Sequence, residues 1–72
     1  MRYAVVFEKS STGYAAYVPD LPGCITTGRT LEETEKLIQE AIEFHIEGLR
    51  AEGISIPVPS SFAGVIEVGS SA

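Results

Sequence analysis

The stretch Val18-Pro19-Asp20-Leu21-Pro22-Gly23-Cys24 limits what this chain can fold into more than any other part of it. Each proline lacks a backbone donor and has a fixed φ, so a central strand cannot run through the stretch. Pro22-Gly23 is strong turn punctuation. Strand-like residues flank it: Tyr14–Val18 on one side and Ile25–Arg29 on the other, the second run carrying β-branched Thr26 and Thr27. This predicts a strand, a stiff projecting loop and a short antiparallel strand. A capped helix follows. In Thr30-Leu31-Glu32-Glu33 the Thr hydroxyl can accept from the Glu33 N–H while the Glu33 carboxylate reaches back to the Thr30 N–H.

The rest of the chain fits around this hinge. Met1–Lys9 alternates, with Tyr3, Val5 and Phe7 on one face and Ala4 and Val6 on the other, so both faces are apolar and a central strand is expected. Ser10–Gly13 reads as a hairpin loop, with Gly13 free to take a positive φ. From Leu31 to Glu52 a single amphipathic helix is expected. Leu31, Thr34, Ile38, Ala41, Ile42, His45 and Leu49 form its apolar face, with Leu37, Phe44 and Ile46 at the borders. Gly53 is placed to end the helix. Pro57 and Pro59 keep Ile54–Pro59 extended, and Ala63–Val68 reads as a last strand before a frayed Gly69–Ala72.

The expected fold is therefore α+β with element order β-β-β-α-β. Strands one to three are antiparallel, and a right-handed crossover sets the fourth parallel to the first, giving sheet order 3-2-1-4 with the helix on one face. One domain is expected over residues 1–72, ordered over about 1–68.

At 72 residues the core is small, and a core of that size supplies about 3–5 kcal/mol at most. The lone Cys24 excludes an internal disulfide, and one His beside one Cys argues against structural zinc. No cofactor is expected. Self-association, as a dimer or tetramer, is the remaining supplement, and the apolar residues on both faces of strands one and four favour it. The net charge of −5, with only five basic residues spread along the chain, speaks against direct nucleic-acid binding and suits a basic protein partner. No membrane span or signal segment is read, so a cytoplasmic location is expected.

Taken together, Tyr17-Val18-Pro19-Asp20-Leu21-Pro22-Gly23-Cys24, then Thr26, Gly28, Thr30 and Glu33, resemble the HicB antitoxin family. Glu43-Phe44-His45-Ile46-Glu47-Gly48-Leu49 and Ile56-Pro57 are similar to that family as well. The resemblance implies a degraded ribonuclease-H-like fold and a domain that binds and neutralises a small basic RNA-cleaving toxin, HicA. Many relatives carry a further C-terminal DNA-binding domain. The few residues after Val68 are too short for one, so direct DNA binding is not expected here.

Five residues are candidates for the partner surface: Asp20, Leu21, Glu40, Glu43 and Glu47. Asp20 and Leu21 lie between two prolines, so exposed side chains there would meet a partner at low entropic cost. The alternative has Leu21 turned inward as a plug under the helix start, with Asp20 capping local amides. Glu40, Glu43 and Glu47, with Glu32, form an acidic helix face that is either simply solvated or steers a basic partner. Other readings are weaker. A domain that self-associates without a toxin is the principal alternative. A metal-dependent nuclease would need Glu8, Asp20 and Glu67 to converge, which the topology does not favour. His45 fits a core imidazole, and Cys24 a semi-buried thiol, better than either fits a catalytic group.

Overall fold

The computed structural model describes residues 1–69. Four elements follow one another: β1 (Val6–Ser10), β2 (Gly13–Tyr17), β3 (Ile25–Gly28) and α1 (Leu31–Ala51). The three strands form one antiparallel sheet in the order β1-β2-β3. The architecture is α+β, as expected, and the sheet order matches the 3-2-1 part of the expected order.

The hairpin between β1 and β2 closes with Ser10 opposite Gly13. Gly13 is required here by space: a Cβ would run into the carbonyl oxygen of Gly28 on β3. Along the register, Phe7 lies opposite Ala16 and Ala16 opposite Thr26, while Val6, Tyr17 and Ile25 form the neighbouring row. Because side chains alternate along a strand, these two rows face opposite sides of the sheet. The first side meets the helix. Ala16 there is fully buried, and Phe7 packs against the core. On the other side Tyr17 and Ile25 stay 39% and 63% exposed.

The helix is built as its sequence dictates. Thr30 is extended and its hydroxyl accepts the Glu33 N–H at 3.0 Å. The return bond differs from the expected one, since the Glu33 carboxylate accepts from the Arg29 N–H at 2.6 Å, one residue before the cap. At the other end, Gly53 takes a left-handed φ of +68°. There the Gly53 N–H donates to Arg50 and the Ile54 N–H to Leu49, a Schellman closure. Thr34 and Ile38 are the buried residues of α1, while Ala41 and Ile42 pack at the core margin. Thr34 lies against β3 at Gly28, where a Cβ would stand 3.1 Å from the Thr34 backbone nitrogen.

β1 begins at Val6, not at Met1 as expected, and among the described residues it is the outer strand of the sheet. The fourth strand expected over Ala63–Val68 is not seen beside it in the single chain, where these residues belong to no strand. Val65, Ile66 and Val68 are 98%, 83% and 80% exposed. The preceding segment is pinned. The Tyr3 hydroxyl donates to the Pro57 carbonyl at 2.5 Å, and Asp20 holds Ser60 and Ser61. Beyond these pins the chain leaves the body as an arm. The radius of gyration is 14.5 Å, against about 11 Å for a compact domain of this length.

Candidate partner-binding surface

The proline-bounded loop is two consecutive turns. The Leu21 N–H donates to the Val18 carbonyl at 3.1 Å, and the Cys24 N–H to the Leu21 carbonyl at 3.0 Å. Each proline occupies the second position of its turn, where its fixed φ is already correct. Gly23, in the third position of the second turn, has φ +85°, which a side chain would disfavour. A further bond from the Val18 N–H to the Cys24 carbonyl, 3.1 Å, closes the loop at its base.

This geometry decides where Asp20 and Leu21 go. Leu21 has no exposed surface and packs with Ala16, Val18, Cys24 and Ile38, so it is the inward plug of the core. Asp20 is partly exposed, with its carboxylate turned to the segment after the helix. Oδ2 accepts the Ser61 and Ser60 N–H groups at 2.8 and 2.9 Å. Oδ1 accepts the Ser61 and Ser60 hydroxyls at 2.9 and 3.1 Å. Chiefly because the Ser61 and then the Ser60 backbone N–H stabilise its charge, the carboxyl falls from 3.8 to about 2. Asp20 does cap backbone amides, but those of a segment forty residues downstream.

Glu40, Glu43 and Glu47 are all exposed on α1. At 100° per residue they share an arc of about 100° with Phe44. Phe44, expected at the border of the apolar stripe, instead points outward and is 79% exposed. An aromatic ring in water, flanked by three carboxylates, is the most anomalous side chain on the helix surface. The sequence signal for this exposure is its offset of about 40° from Glu40 at 100° per residue.

The other singled-out residues stand apart. His45 is half-buried on the inner side of α1. Cys24 is free and buried, and burial pushes its thiol above the ordinary value. Glu8 is exposed on β1, Asp20 is held by the two serines, and Glu67 lies on the arm. Among the described residues, no three of His, Cys, Asp and Glu are placed to hold a metal ion.

Comparison with known proteins converges on one family. Residues 3–69 match the model of the HicB-like antitoxin of bacterial toxin–antitoxin systems. A 14.9 kDa protein of the rep–hol intergenic region of Haemophilus phage HP1 is 44% identical over 57 residues, covering 79% of this chain and 43% of the phage protein. Antitoxin HicB 2 of Photorhabdus laumondii is 40% identical over 65 residues, covering 85% of this chain and 44% of the relative. The chain thus spans less than half the length of these two relatives. A chain of a solved HicA3 and HicB3 toxin–antitoxin complex superposes with a TM-score of 0.73 at 35% identity, covering 85% of this chain and 72% of that one. With its proline-bounded double turn, its capped helix and a family match over nearly its whole length, the chain belongs to the HicB-like antitoxin family.

Proposed function

We propose that this domain is an antitoxin that neutralises a small basic RNA-cleaving toxin of the HicA kind by covering the toxin's RNA-binding or catalytic surface. The observation that carries this reading is Phe44, 79% exposed on an arc shared with Glu40, Glu43 and Glu47. A desolvated aromatic anchor inside a charged rim is the usual anatomy of a high-affinity protein interface. The carboxylates give the approach its sign: with a net charge of −5 the domain attracts a basic partner and repels RNA. A relative in a solved HicA3 and HicB3 complex supports the choice of partner.

In this reading Asp20 and Leu21 contribute from behind the surface. Leu21 fixes the loop to the core, and Asp20 fixes the segment after the helix. The role is regulatory and not enzymatic: the domain blocks another protein's chemistry. It acts in the cytoplasm, where such a toxin meets its RNA. Among the described residues no helix is long and apolar enough to cross a membrane. Operator binding is not assigned to this domain, given its charge. The working form is a dimer or tetramer. In it a fourth strand over Ala63–Val68, parallel to β1, completes a degraded ribonuclease-H-like sheet.

Co-expression with the adjoining reading frame tests the proposal. A small basic product that is toxic alone and co-purifies with this chain is the expected result. If no such product is found and purified chain relieves no ribonuclease, the domain functions as a self-associating module without a toxin, a role to which the open row of Val6, Tyr17 and Ile25 is suited.

A further inference from the structure

We infer that the toxin meets α1 with a basic helix of its own, laid along the seam Leu37, Ala41, Phe44, Gly48 and Ala51, and that the two backbones come closest at Gly48. The inference rests on the antitoxin reading and deepens it by naming the element of the partner that docks.

Gly48 carries the argument, because nothing in its own chain accounts for it. It lies within a helix that runs to Ala51, where glycine is the poorest helix former apart from proline. It is not among the glycines with a left-handed φ, so its backbone conformation does not require it. Neither does space. At Gly28 a Cβ would strike the Thr34 hydroxyl oxygen, whereas at Gly48 it would meet nothing within 4 Å. Alanine would therefore suit the free domain better. A glycine that its own fold does not need fits a surface that must be approached closely from outside.

The neighbours of Gly48 define that surface. From Leu37 the steps to Ala41, Phe44, Gly48 and Ala51 are four, three, four and three residues. This is the spacing by which one helix seats lengthwise against another. At 100° per residue the five positions fall within an arc of about 80°. Leu37 and Ala41 are half-buried, while Gly48 and Ala51 are exposed beside the outward-pointing Phe44. Phe44 is thus a knob one turn from the notch at Gly48, and small residues let helix axes approach to about 8 Å. The far flank of α1 is engaged by its own chain: Gln39, Ile42, Ile46 and Arg50 line a depression with Met1 and Tyr3.

Charge selects the occupant. Glu40 and Glu47 immediately precede Ala41 and Gly48, the flanking positions whose charges meet those of a facing helix. A second α1 is a poor match in either direction. Side by side in parallel, Glu47 of one helix meets Glu52 of the other; antiparallel, Glu40 meets Glu47. Both arrangements set like charges together, whereas Lys or Arg at the facing positions makes both contacts attractive. The occupant is therefore a basic amphipathic helix with a hollow for the Phe44 ring.

The test is Gly48→Leu, with Gln39→Leu as its control. Leucine is a good helix former, and both positions are exposed, so circular dichroism should match the parent and the urea midpoint of Gly48→Leu should not fall. Gln39 is nine residues from Gly48, on the opposite side of the helix. In isothermal titration with the co-expressed basic toxin, Gly48→Leu should raise Kd roughly tenfold or more, and Gln39→Leu should leave it unchanged. NMR of labelled chain with unlabelled toxin should show Ala41 and Ala51 touching toxin residues that recur at intervals of three and four. If the parent binds and Gly48→Leu binds equally well, this inference alone is overturned. Equal weakening by Gln39→Leu, or contacts from a strand or loop of the toxin, would also overturn it while leaving the antitoxin reading intact. A parent that binds no toxin overturns both.

Discussion

The carboxylate of Asp20 accepts the backbone N–H of Ser61 at 2.8 Å, across forty-one positions of sequence. With the matching bonds to Ser60, this one side chain sets where the chain goes after the helix. Tyr3 adds a second pin at Pro57. The loop that turns β2 toward β3 is thus also the clamp that aims the arm.

Substituting Asp20 by Ala should free residues 60–61 without unfolding the body, because Leu21 and not Asp20 belongs to the core. Amide hydrogen exchange at Ser60 and Ser61 should quicken while exchange in β2 and α1 is unchanged. The pH dependence has a definite sign. The carboxyl is lowered from 3.8 to about 2 in the folded chain, so the clamp's contribution is fully present above the unfolded value and is lost as pH falls through the folded one. Titrated by NMR, the two serine amide shifts should be flat above pH 3.8 and move with a midpoint of about 2. A midpoint at the ordinary value would mean that the clamp is not formed.

Leu21→Ala should be among the most damaging single changes. The side chain is fully buried against Ala16, Val18, Cys24 and Ile38. Removing such a side chain costs about 2–5 kcal/mol, which is comparable with the whole stability expected of so small a core. Chemical denaturation should show little or no cooperative native baseline for the isolated variant. A midpoint close to that of the parent would contradict the inward placement of Leu21.

Cys24 should resist alkylation. It is 4% exposed, and burial raises its thiol above 9.0, so little thiolate is present or reachable near neutral pH. Iodoacetamide at pH 8 should modify it slowly in the native chain and rapidly in denaturant, as read by mass spectrometry. Equal rates in both conditions would show the loop to be open.

Local structure was legible where the governing interaction is local. Thr30 and Glu33 announce the helix start, Gly53 its end, and the two prolines with Gly23 the double turn. The sequence does not decide between inward and outward placement of Leu21, because a leucine between two prolines satisfies either geometry until the core is assembled. Asp20's partners were not legible: Ser60 and Ser61 are ordinary linker residues, and nothing in their neighbourhood points back forty positions. The alternation over Ala63–Val68 gives a strand propensity but not a pairing partner, and the single chain leaves the segment unpaired. Phe44 illustrates the remaining limit. A residue at the border of an apolar stripe turns inward only if something is packed there to meet it, and on that side of α1 it stays 79% exposed.

That exposure supplies the most direct test of the antitoxin reading. Isothermal titration of the co-expressed basic toxin should show Phe44→Ala weakening the complex by about 2 kcal/mol or more, roughly thirtyfold in Kd. Val58→Ala removes a side chain of similar exposure, 77%, from the tail and should leave affinity nearly unchanged. Both variants should keep the parent's circular dichroism. A Phe44→Ala complex as tight as the parent's would contradict the claim that the outer face of α1 neutralises the toxin.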